Sequence, residues 1–301
     1  MTKVSNLTIY DRSTIKHLRF PFSFFLMPVF MFALSQATAV NWQNAILIFI
    51  ALHLFIFPSS NGYNSYQDKD ESSIGGLKNP PRVTRNLFYT TLLFDSIAIL
   101  LTLIVSPLVT FLVLGFIIMS RLYSYRGIRL KKFPVLSFLI VFIFQGAWVY
   151  LISIASFAVG EWHEYFSTHT VICMLVSSLF IGSMYPLTQI YQHEADKQDG
   201  VITISYKLGY MGTFTFSAVL FTLATILLFW YFREQNRDVA LILFLLFLLP
   251  VVVRIIRWNI KVKRNTNEAN FENTMRMNLL SSTMMNAYFI LLVLNNFYNW
   301  F

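Results

Sequence analysis

Apolar residues run in long blocks along this chain, and short polar stretches punctuate them. A helix needs about 20 such residues to cross the hydrocarbon core of a bilayer. The pattern predicts nine spans, at 20–38, 42–59, 87–105, 107–122, 134–156, 169–189, 211–231, 238–256 and 275–296. Only Ser106 and Pro107 separate the third from the fourth, and their joint run is too long for one crossing. Nine such stretches in a row exclude the buried helices of a soluble protein. The expected fold is therefore all-α: a polytopic bundle of nine transmembrane helices, forming a single membrane-embedded domain over residues 1–301.

Composition agrees, because 56% of the 301 residues are hydrophobic and only 12% are charged. Soluble domains carry roughly 25% charged residues, about twice as many. The net charge of +9 resembles a nucleic-acid signature, but the basic residues cluster at the ends of apolar runs. That placement points to membrane lipid, with no nucleic-acid partner. Cys173 is the sole cysteine, so no disulfide framework exists. The "ATA" at 37–39 invites comparison with a signal-peptide cleavage site. The basic leader and the apolar run before it are too long for one.

Lysine and arginine in short loops favour the cytoplasmic side. Four precede the first span, four lie between the second and third, and five run from Arg121 to Lys132. Two more occupy 190–210 and six run from Arg254 to Arg276, so 21 of the 23 share one side. Arg233 and Arg237 alone fall opposite, and the other sizeable loop there, "FAVGEWHEYFSTH", has neither lysine nor arginine. The expectation is a cytoplasmic N-terminus and an external C-terminus. Three unusually polar loops, 60–86, 121–133 and 190–209, then gather on the cytoplasmic face.

Those loops carry the candidate chemistry. Asn64 and Asp68 stand four residues apart, which puts both on one helical face if the second span continues past Pro58. Gln192 and Asp196 repeat the spacing after the sixth span, with Glu194 and Asp199 nearby. Amide and carboxylate oxygens are hard ligands suited to Mg²⁺, which keeps sites for water and substrate phosphate. Arg129 and Lys131 in "RLYSYRGIRLKKFP" are placed to neutralise phosphate oxygens, with Tyr123 as a hydrogen-bond donor. Acidic, basic and acidic loops at the mouth of an apolar bundle suit a phosphorylated head on a hydrocarbon tail, such as a prenyl diphosphate. The bland alternative is that these are solvated loop residues, since a lone N-x-x-x-D recurs by chance. Arg121, Arg126, Lys132 and the basic cluster at 254–264 read as lipid-headgroup or topology residues.

On these residues the chain resembles the UbiA superfamily of intramembrane prenyltransferases, whose fold is a nine-helix bundle. The family's N-x-x-x-D-x-x-x-D is matched by Asn64 and Asp68. Its D-x-x-x-D-x-x-x-G-x-x-T followed by glycine is matched by Asp196, Gly200, Thr203 and Gly209 in "QHEADKQDGVITISYKLG". Its Y-S-x-P-P-x-[KR]-L-K loop aligns without a gap with "YSYRGIRLK" at 123–131. The resemblance implies Mg²⁺-dependent transfer of a prenyl group from a prenyl diphosphate to a lipophilic acceptor. It assigns catalysis to Asp68, Asp196, Arg129 and Lys131, and diphosphate binding to Tyr123, Arg129 and Lys131. The implied metal ligands are Asn64, Asp68, Glu71, Gln192, Asp196 and Asp199.

Two departures accompany the matches. Ser72 and Gln192 stand where the family pattern has aspartate. Asp70 or Glu71, and Glu194, are the acids nearest the lost positions. Helical spacing favours Glu71 over Asp70 as a partner of Asp68, and Asp199 over Glu194 as a partner of Asp196. The other outcomes are a site with fewer metals, or a non-catalytic relative that binds isoprenoid lipid or a partner protein. A transporter is a third class, weakened by the lack of paired broken helices.

Several polar residues lie inside the spans. Asp95 is expected to orient an acceptor or a loop residue, or to hydrogen-bond between helices. His53 reads as packing, and Gln145 faces the same choice as Asp95. Asn278, Ser282 and Asn286 share one face of the ninth span, where helix–helix hydrogen bonding is expected. His193 has no second histidine at ligand spacing and indicates no metal site.

Overall fold

The computed structural model describes residues 11–69, 71–159 and 165–300. Among the described residues, eight helices are long and apolar enough to cross a membrane. They are α3 (Trp42–Asp68), α4 (Arg85–Val105), α5 (Pro107–Ser124), α6 (Pro134–Phe157), α7 (Thr168–Gln189), α9 (Ile204–Glu234), α10 (Asp238–Arg264) and α11 (Phe271–Tyr298). The first crossing is a bent pair. Arg12–Phe25, which contains α1 (Arg12–Leu18) and a 3-10 segment at Phe20–Phe25, meets α2 (Met27–Gln36) at 40°. Counting that pair as one span gives nine. The continuous first helix expected over 20–38 is thus broken, with Pro21 opening the 3-10 segment and Pro28 opening α2, positions where a missing N–H costs least. A short helix, α8 (His193–Gln198), lies between α7 and α9.

Local chemistry explains the breaks. Between α4 and α5, the Ser106 hydroxyl accepts from the Val109 amide and Pro107 opens the new helix. In α3 a π-turn at Ala51–Ile56 precedes Pro58, and the helix then continues to Asp68 as the Asn64/Asp68 spacing requires. A second π-turn, at Phe142–Ala147 in α6, meets α7 closely. A Cβ on Gly146 would stand 2.4 Å from the Ser178 Cα, and the Ser178 hydroxyl accepts from the Ala147 amide at 2.9 Å. Glycine is needed there because the two backbones touch. In α9, Gly209 has φ +66° and ψ 178°, which breaks the helix one turn after it starts.

The central core is aromatic, with Phe32, Tyr150, Phe157, Phe232, Phe244 and Tyr288 fully buried. His53 packs among Phe30, Phe49 and Phe57, the packing role expected for it. Leucine and phenylalanine side chains such as Leu100, Phe111, Leu246 and Leu249 face outward, as lipid contact demands. The last three long helices run past their predicted apolar limits on the loop side. There Phe214, Trp258, Val262 and Met277 build a second small core with Leu187 and Ile190. The loops after α3, α5 and α7 meet on this same side, where Arg129 touches both Asp68 and Asp199.

Candidate active site

A cavity of about 320 Å³ opens among these loops and descends between the helices. That volume suits a small ligand. Its mouth is lined by Asn64, Asp68, Lys131, Gln192, Asp196 and Asp199. Between the helices the wall is mostly apolar, with Gln145, Ser177, Asn278, Ser281 and Ser282 set among aliphatic and aromatic side chains that include Phe32 and Phe289, which stack at 4.8 Å.

Asp68 is the last residue of α3, and its side chain is only 4% exposed. Lys131 pairs with its Oδ2, and Arg129 Nη2 donates to its Oδ1 at 3.3 Å. Arg129 also pairs with the Asp199 carboxylate and donates to the Asp199 carbonyl at 3.0 Å. Burial opposes the guanidinium charge, but the hydrogen bond and charge of Asp199, followed by Asp68, outweigh it. The Arg129 pKa is raised above its ordinary value. Arg126 donates to the carbonyls of Gln67 at 2.5 Å and Asp68 at 2.9 Å, and pairs with Asp199 at 3.4 Å. Arg126 thus ties two loops together, a correction to its reading as a headgroup residue.

Asn64 donates its amide to the Ser124 hydroxyl at 3.0 Å and lines the cavity beside Asp68. Gln192 lines it from the other side and donates to the Ser73 carbonyl at 3.2 Å. Asp196 lines the cavity from α8, while Glu194, two residues away, is exposed. Tyr123 also lines it, but its hydroxyl is already engaged, 2.6 Å from that of Tyr185 and 3.4 Å from that of Ser137.

Glu71 does not join the site. Lys69 turns left-handed at φ +54° and ends the helix, so Glu71 has no i+3 relation to Asp68 and is exposed. Glu194 is likewise no replacement for the acid missing at Gln192. Asp70 lies outside the described residues. Ser72, the other departure, is exposed.

Asp95 and Arg121 pair with each other inside the bundle, with Ser59 donating to Asp95 Oδ1 at 2.5 Å. Arg121 therefore is not a headgroup residue, and Asp95 serves helix packing. His193 stacks on Tyr210 and shares a 2.8 Å hydrogen bond with Ser205. Burial lowers its pKa, partly offset by the Glu194 charge. Arg19, Tyr185 and Gln189 are among the lining residues that the motifs did not reveal. Gln189 donates to the Tyr185 hydroxyl at 2.8 Å, one helical turn away. Extending the second motif backward by two turns finds both. Arg19 is reached only through the fold, because its guanidinium bonds the carbonyls of Asn61 and Gly75.

Among the described residues, no three His, Cys, Asp or Glu side chains form a ready metal cluster. The donor chemistry nonetheless fits Mg²⁺ held together with a diphosphate. The carboxylates of Asp68, Asp196 and Asp199 and the amides of Asn64 and Gln192 are all hard oxygen donors lining one cavity. Mg²⁺ takes only one or two protein carboxylates when phosphate and water complete its shell. The Arg129 guanidinium on Asp68 and Asp199, and the Lys131 ammonium on Asp68, show that these cavity-lining carboxylates already hold cations.

The sequence profile of the UbiA prenyltransferase family matches residues 22–280, and the chain belongs to that family. No curated protein sequence matches it. Among solved structures, a UbiA homologue from Archaeoglobus fulgidus bound to DMAPP and Mg²⁺ superposes with a TM-score of 0.66 at 16% identity, covering 93% of this chain and 99% of the other. The apo structure of a UbiA homologue from Aeropyrum pernix K1 gives 0.65 at 15% identity, covering 92% and 98%. A structure of digeranylgeranylglyceryl phosphate synthase gives 0.58 at 16% identity, covering 95% and 98%. At such identities the likeness is one of fold.

Proposed function

We propose that this membrane protein transfers a prenyl group from a prenyl diphosphate to a lipophilic acceptor within the bilayer. The observation that carries the reading is the mouth of the cavity, where Asp68 and Asp199 meet Arg129 and Lys131 above an apolar chamber. Relatives bound to DMAPP or to GPP with Mg²⁺ support the donor class.

In this reading Arg129 and Lys131 exchange their carboxylate partners for phosphate oxygens when the donor arrives. Asp68, Asp196, Asn64 and Gln192 are then left to hold Mg²⁺, with Asp199 contributing as Arg129 shifts. When bound, Mg²⁺ would stabilise negative charge on the departing diphosphate. The bond between the allylic carbon and the diphosphate oxygen breaks, and its electron pair leaves with the diphosphate. Arg129 and Lys131 stabilise that charge in a site of low dielectric, which strengthens their effect. The acceptor's nucleophilic atom bonds the allylic carbon and releases its proton. Apolar walls keep water from competing for the carbon. The basic-residue asymmetry supports an orientation with this mouth and the N-terminus on the cytoplasmic side and the C-terminus outside.

Purified protein in lipid nanodiscs, given a panel of prenyl diphosphates and a lipid extract, should release diphosphate only with Mg²⁺ and yield a prenylated product by mass. A second reading rests on Gln192, which spends its amide on the Ser73 carbonyl, and on Arg129 lodged between two acids. On that reading the protein binds an isoprenoid without turning it over. If wild type is inert toward every donor and Ser72→Asp with Gln192→Asp switches activity on, the binder reading replaces the enzyme. Orientation is tested separately with an impermeant thiol reagent on intact cells. Thr168→Cys should label, and labelling of Ser72→Cys would reverse the topology.

A further inference from the structure

Arg126, Arg129 and Lys131 come from the one loop after α5, and they do different work. Arg129 and Lys131 take the Asp68 side chain, whereas Arg126 takes the backbone around it. Its Nε donates to the Gln67 carbonyl at 2.5 Å and its Nη2 to the Asp68 carbonyl at 2.9 Å. Both carbonyls belong to the last turn of α3, where no further helical amide reaches them and the helix dipole is negative. The Arg126 amide adds a 3.3 Å bond to the Gln67 side-chain oxygen. The same Nη2 pairs with Asp199, the residue that caps α8, at 3.4 Å. Arg126 is 47% exposed and does not line the cavity. It is placed to act through the two acidic loops and not on a bound molecule.

The sequence shows why this contact is particular to the chain. At 126 and 127 the family pattern has two prolines, and here arginine and glycine stand in their place. Proline offers no donor to either loop. The chain thus lacks an acid in each acidic loop, at Ser72 and at Gln192, and gains a cation that reaches both. An ion that draws ligands from two loops also holds them together, and each lost carboxylate weakens that hold. A guanidinium is fitted to replace it, since its five fixed donors can serve two carbonyls and a carboxylate at once. An ammonium is a point charge and spans them less well.

We propose that Arg126 is a positioning residue, a built-in strut that sets the spacing between the end of α3 and α8 before any ion or anion arrives. In that role it preorganises Asp68, Asp196 and Asp199 for a divalent ion, so that little of the binding free energy is spent on ordering the loops. The part played by the ion rests on the prenyl-transfer reading, whereas the strut rests on the contacts alone. Charge by itself makes the opposite forecast. A cation beside carboxylates repels a divalent ion, so its removal would tighten metal binding.

Two measurements on the full chain in lipid nanodiscs separate these accounts. One is amide hydrogen exchange without metal, and the other is Mn²⁺ binding with inorganic pyrophosphate, followed by electron paramagnetic resonance. In Arg126→Gln, amides in the last turn of α3 and in α8 should exchange about tenfold faster, with those inside α4 and α6 unchanged. Mn²⁺ should bind about tenfold more weakly, and about threefold more weakly in Arg126→Lys, which keeps the charge and loses the fork. Turnover lost in Arg126→Gln should return to within about twofold of wild type at saturating Mg²⁺, because the defect lies in assembling the site and not in its chemistry. Should Arg126→Gln misfold, Arg126→Lys carries the same comparison. Unaltered exchange at both loops overturns the proposal. So does Mn²⁺ binding that tightens or stays the same where wild type binds it. If wild type takes up no Mn²⁺ with pyrophosphate while the substitution still loosens both loops, the strut stands and the prenyl-transfer reading falls.

Discussion

Two charged clusters lie one helical segment apart, and both draw on α3 and on α5 or the loop after it. In the first, Asp95 and Arg121 pair one to one, Ser59 bridges them to α3, and the guanidinium lies 4.0 Å from the Tyr63 ring centre. Neither charge borders the cavity. In the second, the carboxylates of Asp68 and Asp199 face three cations, Arg126, Arg129 and Lys131, beside open space. The residue types are the same in both. What separates them is number and place. Asp95 and Arg121 pair one to one away from the cavity and fix helices, whereas Asp68, Asp196, Asp199 and Lys131 line it, where an entering ion can exchange partners with them.

The widest separation between the clusters should appear in turnover. Asp68→Asn or Asp196→Asn is expected to lower Mg²⁺-dependent diphosphate release, measured per folded molecule, by at least about 10²-fold. Because both act on one step, the double variant should be little slower than either single. Full additivity would dissolve the shared site.

The opposite signature is expected at Asp95. Asp95→Leu leaves Arg121 charged and unpaired inside the bundle, which should cost about 3–5 kcal/mol of stability in a detergent unfolding assay. Turnover per folded molecule should persist. Adding Arg121→Met should recover most of the loss, since replacing the whole pair is often close to neutral. A stability loss that the double variant fails to recover would mean that the charges do more than pair.

The smallest effect should fall on Glu71. Glu71→Gln is expected to change turnover by less than about twofold, because the chain leaves the helix at Lys69 and the side chain is exposed. A severe loss would return Glu71 to the metal site and blur the line between mouth and surface.

How much of this was legible beforehand follows the range of the interactions. Long apolar runs, the Ser106–Pro107 break and the asymmetry of the basic residues are local properties, and they specified the spans without reference to any neighbour. The i, i+4 spacing of Asn64 and Asp68 likewise needed only that α3 remain helical past Pro58, which the π-turn allows. Glu71 was misread because a left-handed cap at a lysine has no signature in composition; glycine is the residue that announces such turns. Arg121 and Arg126 were misread because a basic residue at a span's end looks the same whether it meets lipid or a carboxylate on another helix. Asn278 and Ser282 pose the same problem from the other side. Their spacing placed them on one face, but only the packing of α2, α7 and α10 around α11 made that face the wall of a cavity, where neither has a hydrogen-bond partner among the described residues. Sequence determined which segments enter the membrane and which polar groups enter with them. The tertiary structure decided which of those groups are satisfied by the protein itself, because a hydrogen bond or ion pair depends on distance in space, and distance along the chain does not supply it.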